Sequence, residues 1–399
     1  MRGWKGRPRL RVDRRERETP TAPSVPPPLP SKRSLSLNLA PLHSGGFAIP
    51  GAGPLGLATL GRLAAEVLPA LAAAARSARD AALARLLRRR PARDTFLSLA
   101  ALAGAAWWAA GRSLATATAR KVADVLAADA DAADRASAID LSRLDGLPEP
   151  AARYLRFALP ASGPRPRAVR VRQAGAFRFR IAPGLRSEDG WKPVVATQTL
   201  AAGREPGYVW AASIQLAPGL WATGWDAFSG GRGHMLWKLG GAVPLIDSGG
   251  GAASGGPPAP EVDQSALLRY LAEAVYAPAA LLPGVGRVRW EAAGPDAARA
   301  VLAAGPGRPT VAATFHMRAD GAVTAVTSAD RARPLEDGTA VADEHTVTFG
   351  EWVTRSDGVS IPLRMDARWD LVTPFPYARL RVTGVSVWDT GPGGGWREV

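Results

Sequence analysis

Apolar and polar residues alternate with a period of two from Arg167 almost to the C-terminus. The alternation runs through segments such as AVRVRQAGAFRFRI, GYVWAASIQL and TVAATFHM, and Pro-Gly pairs separate several of them. This period is typical of half-buried strands, and Asp320-Gly321 and Asp357-Gly358 are hairpin signals. Because roughly ten or more strands follow without alternating helices, the pattern predicts one large, curved antiparallel sheet or half-barrel.

One helical segment, RYLAEAVYAPAALLP, interrupts the strand pattern. In the helix predicted over residues 265–277, Leu271 and Val275 share an apolar face. Arg269 and Glu273 are four residues apart on another face and can pair. A wide curved sheet has more concave surface than its own strands can fill. We therefore expect this helix to plug the concave face of the sheet.

The chain before the sheet has a different composition. Residues 1–45 are rich in Arg, Pro and Ser and lack hydrophobic periodicity, which predicts a disordered basic tail. Residues 46–140 have the Ala-rich composition of helices. The predicted plan is thus a tail, a helical region, and an antiparallel β domain over residues 145–399 that contains the plug helix. The predicted fold class is mainly β, and α+β overall.

The helical region contains a candidate membrane segment over residues 95–111. These 17 residues carry no charge, which is the lower limit for a spanning helix, and Trp107 and Trp108 lie near one end. Arginines are more numerous before the segment than after it, so a span would place the N-terminus in the cytoplasm. Two interpretations stay open. The protein is membrane-associated through this segment, or it is cytoplasmic and the segment is a buried Ala-rich helix.

The charge distribution argues against a nucleic-acid partner. The net charge is +15, but residues 1–94 contain 18 Lys and Arg against 6 Asp and Glu. The rest of the chain is close to neutral, so a basic folded surface for nucleic acid is not indicated. The chain has no cysteine, which excludes disulfides, thiolate metal sites and cysteine nucleophiles.

No catalytic, metal or cofactor motif stands out. The chain has no Walker loop, GxSxG elbow or HExxH motif, and its four histidines lack the spacing of metal ligands. Gly51 to Gly56 matches GxGxxG by letter, but no strand precedes it and Pro54 removes one of the amides that would face a phosphate. We therefore expect neither a bound metal nor a cofactor.

The 13 tryptophans are a better indication of a site, because most of them lie in the alternating segments. They either pack the core or line a cavity for an apolar ligand. The candidate ligand-binding residues are Trp210, Trp225, Asp226, Trp237, Lys238, Arg269, Tyr270 and Glu273.

Several segments occur in order over residues 145–390 and together resemble a bacterial family of unknown function. They include LPEPAARYLRFAL, PGYVWAA, WDAFSGGRGHMLWKLGG and the RYLAEA-x(2)-A-P-x-ALLP signature. That family has no settled activity to transfer. The strand pattern is also similar to lipoprotein-carrier-like half-barrels, a resemblance that implies acyl chains held under short helices.

The leading functional hypothesis is a binding module for an apolar or lipid-like small molecule on the concave face. One alternative is an enzyme that uses inward-facing Asp226, Lys238, Arg269 and Glu273, and another is a structural or assembly protein. A deep apolar cavity would favour binding, whereas a narrow cleft with converging carboxylates would favour catalysis.

Overall fold

A computed structural model describes residues 90–128, 138–178, 190–249, 259–334, 340–388 and 395–399 of the chain. The predicted basic tail over residues 1–45 lies outside the described residues, as do residues 46–89 and 129–137 of the predicted helical region. The described part contains three α-helices and one large sheet.

The sheet has 14 strands, and each neighbouring pair is antiparallel. Its strands are β1 (Ala168–Arg178), β2 (Trp191–Ala201), β3 (Tyr208–Ala217), β4 (Leu220–Ser229), β5 (Arg232–Leu239), β6 (Val243–Gly249), β7 (Val288–Gly294), β8 (Ala297–Ala303), β9 (Thr310–Met317), β10 (Val323–Pro334), β11 (Ala340–Thr354), β12 (Ser360–Trp369), β13 (Phe375–Trp388) and β14 (Trp396–Glu398). The predicted antiparallel sheet is confirmed.

The strand order divides the sheet into two meanders. Strands β1 to β6 form one half, β7 to β13 form the other, and the pairing of β1 with β13 joins them. The short β14 pairs with β13 away from the main path. Strands β6 and β7 are the two edges, so the sheet is open. The chain that connects these edges must cross from one side of the sheet to the other, and it carries the plug helix.

Helix α3 (Pro260–Glu273) is that plug. Pro260 stands at its start, where a proline's missing N–H costs nothing, and 3-10 turns over Ala274–Tyr276 and Pro278–Leu281 continue it. The helix predicted over 265–277 therefore begins earlier and tightens before its predicted end. Helix α3 contacts β4, β5 and β6 on one side and β9 and β10 on the other. The two halves of the sheet thus curve around it.

The inner face of the sheet holds the main hydrophobic core. Leu267, Leu271 and Val275 are completely buried in it, together with apolar side chains of almost every strand. Helix α2 (Glu149–Ala158) closes the same core over β8 and β12, and its Tyr154 ring packs edge-on against Trp352 of β11. The concave surface is thus filled by the chain's own segments.

Helix α1 (Arg90–Ala128) lies on the opposite, outer face. Its second half packs Leu114 and Val125 against β2, β3 and β4, where Trp225 is the largest buried side chain. Its first half is different. Phe96, Leu102 and several neighbours are more than half exposed, so this part of the helix is not buried.

None of the described helices is both long enough and apolar enough to cross a membrane. The single span considered for residues 95–111 is therefore not supported. The alternative of a buried Ala-rich helix is not supported either, since large apolar side chains of this segment such as Phe96 and Trp108 are exposed.

Candidate functional site

Inward-facing polar side chains converge where α3 meets β3 and β4. Strand alternation places Trp210 and Asp226, which are register partners, on the inner face. The four-residue spacing of Arg269 and Glu273 places both on the side of α3 that faces them. The site is therefore assembled from one helix and two adjacent strands.

Arg269 lies at the centre of this group. Its Nη1 donates to Asp226 Oδ2 over 2.6 Å, and its Nε donates to Glu273 Oε1 over 3.0 Å. Its guanidinium carbon is 4.6 Å from the centre of the Trp210 ring and 5.4 Å from that of Tyr208. One guanidinium thus joins two carboxylates while its face rests on aromatic rings, which suits a weakly hydrated planar cation.

The remaining oxygens of both carboxylates also have donors. Trp237 Nε1 donates to Asp226 Oδ1 over 2.8 Å, and Gln198 Nε2 donates to Glu273 Oε2. Buried charges need such partners, because each unpaired one would cost several kcal/mol of desolvation, roughly 3–5 kcal/mol when a partner is removed. Acid–base chemistry at either carboxylate would first require release from these bonds.

Burial and neighbouring charges shift the pKa values of Asp226, Tyr208 and Arg269. Burial raises the pKa of Asp226 above its ordinary value, and the nearby Arg269 charge only partly opposes the shift. Burial also raises the pKa of the Tyr208 hydroxyl. Burial works against the charge of Arg269, yet Glu273, Tyr208 and Asp226 outweigh it and hold the pKa of Arg269 above its ordinary value.

A second polar cluster lies on the other half of the sheet. Arg331 Nη1 donates to His345 Nε2 over 2.7 Å and to the Tyr377 hydroxyl over 3.1 Å, and the last two atoms are 2.8 Å apart. The guanidinium carbon of Arg331 is 5.3 Å from the Trp369 ring centre. Burial, followed by the Arg331 charge, lowers the pKa of His345 well below its ordinary value, so this ring is neutral at pH 7.

A cavity of about 60 Å³ connects the two clusters. At roughly 10–15 Å³ per water molecule by this measure, it has room for a few waters or one small ligand group. Most of its wall is apolar or aromatic. Its lining includes Phe177, Tyr208, Trp210, Met235, Met365, Ala367, Tyr377 and Leu380, with Ser265, Asp226, Arg269, Glu273 and Arg331 as polar members.

The structure brings four of the eight sequence-predicted site residues to this cavity, namely Trp210, Asp226, Arg269 and Glu273. Trp237 supports Asp226 through its indole N–H. Tyr270 is buried elsewhere on α3, and its hydroxyl donates to the Ala201 carbonyl.

Trp225 and Lys238 lie on the other face of the sheet. Trp225 packs in the outer core with α1, and Lys238 pairs with the outward-facing Thr223. The reason is strand geometry, because consecutive residues point to opposite faces. Trp225 therefore points to the outer face while its neighbour Asp226 points to the inner face, and Lys238 and Trp237 are divided in the same way.

Sequence reasoning missed Arg331, His345 and Tyr377. A β-bulge between Ser328 and Arg331 explains the first omission. Uninterrupted alternation would turn Asp330 inwards with Ser328, but the extra residue turns Arg331 inwards instead. His345 could have been predicted, because it lies two residues before the inward-facing Val347 on the same strand and therefore faces the same side.

A larger space lies outside the sheet, between α1 and the outer faces of β1 to β4. Its volume is about 640 Å³, and small side chains such as Ala115, Thr118, Ala211 and Ser213 line it. Arg172 is the one charged residue among the described residues that line it, and its guanidinium donates to the carboxylate of Glu398. The outer groove therefore has more room but fewer converging polar groups than the inner cavity.

The fold and the site define a class of protein, namely an open antiparallel sheet curved around a plug helix, with a small charged cavity between them. The chain belongs to DUF6544, described as a family of unknown function, whose family model matches residues 137–380. This confirms the resemblance noted from the sequence. Among the described residues, no group of three or more His, Asp or Glu side chains is placed to hold a metal ion.

No curated protein matches the chain. Among solved structures, the chain is similar to a domain from Vibrio parahaemolyticus described as an outer membrane lipoprotein-sorting protein domain. The sequence identity is 7%, the alignment covers 62% of this chain and 91% of that one, and the TM-score is 0.31.

Proposed function

We propose that the protein is a binding module for an apolar or lipid-like ligand, and that the ligand enters the inner cavity between α3 and the sheet. The composition of the cavity wall carries this proposal. Small-molecule sites are lined mainly by apolar and aromatic side chains and contain a few converging polar groups. In this cavity, Trp210, Met235 and Met365 supply apolar and aromatic surface. Asp226 and Arg269 supply polar groups.

The size of the cavity limits the ligand. A volume of about 60 Å³ accommodates a small molecule, or one end of a longer one. A whole acyl chain needs more space, and α3 occupies that space with Leu267 and Leu271 completely buried. Binding of a longer ligand therefore requires α3 to shift away from the sheet, against the free energy of burying its apolar face.

Native mass spectrometry of the protein purified from its own host tests this proposal. We expect the mass of the native protein to exceed the mass of the denatured chain by that of a bound molecule. After organic extraction, this molecule should be identified as apolar. Ala367→Leu places extra methyl groups in the cavity wall and should remove the bound mass. Ala340→Leu, at an exposed position of β11, is the matched control and should retain it. If all three proteins carry the same mass, or none does, the inner cavity is not the ligand site.

We further propose that the first half of α1 associates with an anionic membrane surface. Phe96, Leu102, Trp107 and Trp108 are each more than half exposed on this helix, and exposed apolar groups of this kind mark interaction surfaces. Arginines flank them in sequence, and Arg112 lies 5.0 Å over the Trp108 ring. Basic residues beside interfacial tryptophans are complementary to a negatively charged lipid surface.

Flotation with vesicles of phosphatidylcholine and phosphatidylglycerol tests the membrane proposal. The unmodified protein should float with the vesicles, and the Trp107→Ser/Trp108→Ser variant should remain at the bottom. Leu220→Ser removes an exposed apolar side chain from a strand end and serves as the control, which should float. Equal flotation of all three proteins, or none, would contradict this proposal.

A further inference from the structure

Arg331 is a buried cation whose hydrogen-bond partners, among the described residues, are a histidine and a tyrosine. It is 7% exposed, and its guanidinium bonds to the His345 ring and the Tyr377 hydroxyl. Its Nε is buried and has no hydrogen-bond partner. Among the described residues, no carboxylate forms an ion pair with it. A buried guanidinium in this state retains donors and a positive charge that an anion can satisfy.

Two other arginines of the protein, Arg269 and Arg355, show a contrast. Arg269 is bonded to two carboxylates, and Arg355 is paired with Asp357 over 2.5 Å. At these two positions the fold supplies a carboxylate as counter-ion. At Arg331 it supplies a neutral histidine and a hydroxyl, and both lie at the cavity side of the sheet.

The position of Arg331 connects this charge to the inner cavity. Arg331 and Tyr377 both line it, and the bulge in β10 is the feature that turns Arg331 inwards. The same cavity is lined by Arg269, which is ion-paired with Asp226 and Glu273. Among the described residues of the cavity wall, Arg269 is thus paired with two carboxylates and Arg331 with none.

We propose that the cavity binds its ligand through an anionic head group, a carboxylate or a phosphate, placed against Arg331 and the Tyr377 hydroxyl. The proposal rests on the proposed function and adds the chemical class of the ligand. The planar fork of a guanidinium matches the two oxygens of such a group, and the bonds are charge-assisted. With the anionic end at Arg331 on β10, the apolar part of the ligand would lie along Met365 and Leu380, which line the same cavity.

Calorimetric titration with octanoate, octyl phosphate, octanol and acetate tests both proposals separately. We expect octanoate and octyl phosphate to bind at least about tenfold more tightly than octanol, because only they make charge-assisted bonds with Arg331. Equal affinity for octanoate and octanol would overturn the anionic class and leave apolar binding intact. Equal affinity for acetate and octanoate would support the anion site and contradict the apolar function. Failure of all four probes to bind would contradict both.

Two variants assign the effect to Arg331. Arg331→Gln should reduce the affinity for octanoate to about that for octanol. Arg331→Lys retains the charge but not the fork, and should retain part of the preference. Arg364→Gln removes an exposed arginine from β12 and controls for the change in net charge. Unchanged selectivity in Arg331→Gln would overturn the proposal, and the comparison of ligands on the unmodified protein stands even if that variant does not fold.

Discussion

Arg269 on α3 donates a 2.6 Å hydrogen bond to Asp226 on β4, and thereby connects the plug helix to the inner face of the sheet. The same guanidinium holds Glu273 one helical turn further on. The contact has a structural role, since it satisfies two buried carboxylates at once. It also forms one wall of the inner cavity, so the packing of α3 and the chemistry of the cavity depend on the same residue.

Removal of Arg269 should destabilise the protein strongly. Arg269→Gln leaves Asp226 and Glu273 buried without their cation, and breaking a buried pair in this way costs about 3–5 kcal/mol. Arg308→Gln is the matched control, because its pair with Glu205 is exposed and should contribute at most about 1 kcal/mol. Urea denaturation gives both free energies of unfolding, and equal small losses would contradict the importance of the buried triad.

The apolar face of α3 should behave as core. Leu271 is completely buried, so Leu271→Ala should lower the free energy of unfolding by about 2–5 kcal/mol. The exposed Leu220 provides the comparison, and its replacement by Ala should change stability by less than about 0.5 kcal/mol. A cost below that level for Leu271→Ala would indicate that α3 is a mobile lid instead of a plug.

The close contact between the two halves of the sheet depends on Gly175. A Cβ at this position would lie 2.0 Å from the carbonyl oxygen of Arg379 on β13, so an alanine must push the strands apart. We expect Gly175→Ala to cost about 1–3 kcal/mol, as overpacking usually does. Gly350 also lies within a strand, but nothing surrounds its Cβ position. Gly350→Ala should therefore leave the melting temperature unchanged or raise it, and a similar loss in both variants would refute the argument.

His345 should make stability depend on pH. Its pKa in the folded protein lies well below the unfolded value, because of burial and the charges of Arg331, Arg269 and Arg368. Below pH ~6.5 the unfolded chain therefore binds a proton that the folded protein does not, and stability falls with decreasing pH by at most about 1.4 kcal/mol per unit. His345→Gln cannot titrate and should lose this slope between about pH 6.5 and 5. Identical slopes in both proteins would show that His345 is not held neutral.

The sequence was sufficient for the sheet and for the plug. The period of two after Arg167 predicts strands, and the one segment that departs from it must cross the open side, where α3 lies. The pair of Arg269 and Glu273 also follows from helical spacing alone. These features depend on local periodicity, which a single sequence contains.

The composition of the site was harder to predict. The bulge that turns Arg331 inwards depends on pairing with β11, and nothing local to residues 328–331 marks it. The abundance of tryptophans in the alternating segments predicts Trp225 as a site residue. Strand alternation shows that Trp225 and its neighbour Asp226 face opposite sides of β4. The sequence does not show that α1 covers the outer side and buries Trp225 there. Contacts between distant segments decided each of these positions.

Photo-crosslinking with a diazirine-labelled fatty acid is the most direct test of a ligand site in the inner cavity. The probe should modify residues of the cavity wall such as Met235 and Met365, and unlabelled octanoate should compete with it. Adducts confined to Ala115, Val195 and the other residues of the outer groove would contradict the account and assign the ligand to the outer side of the sheet.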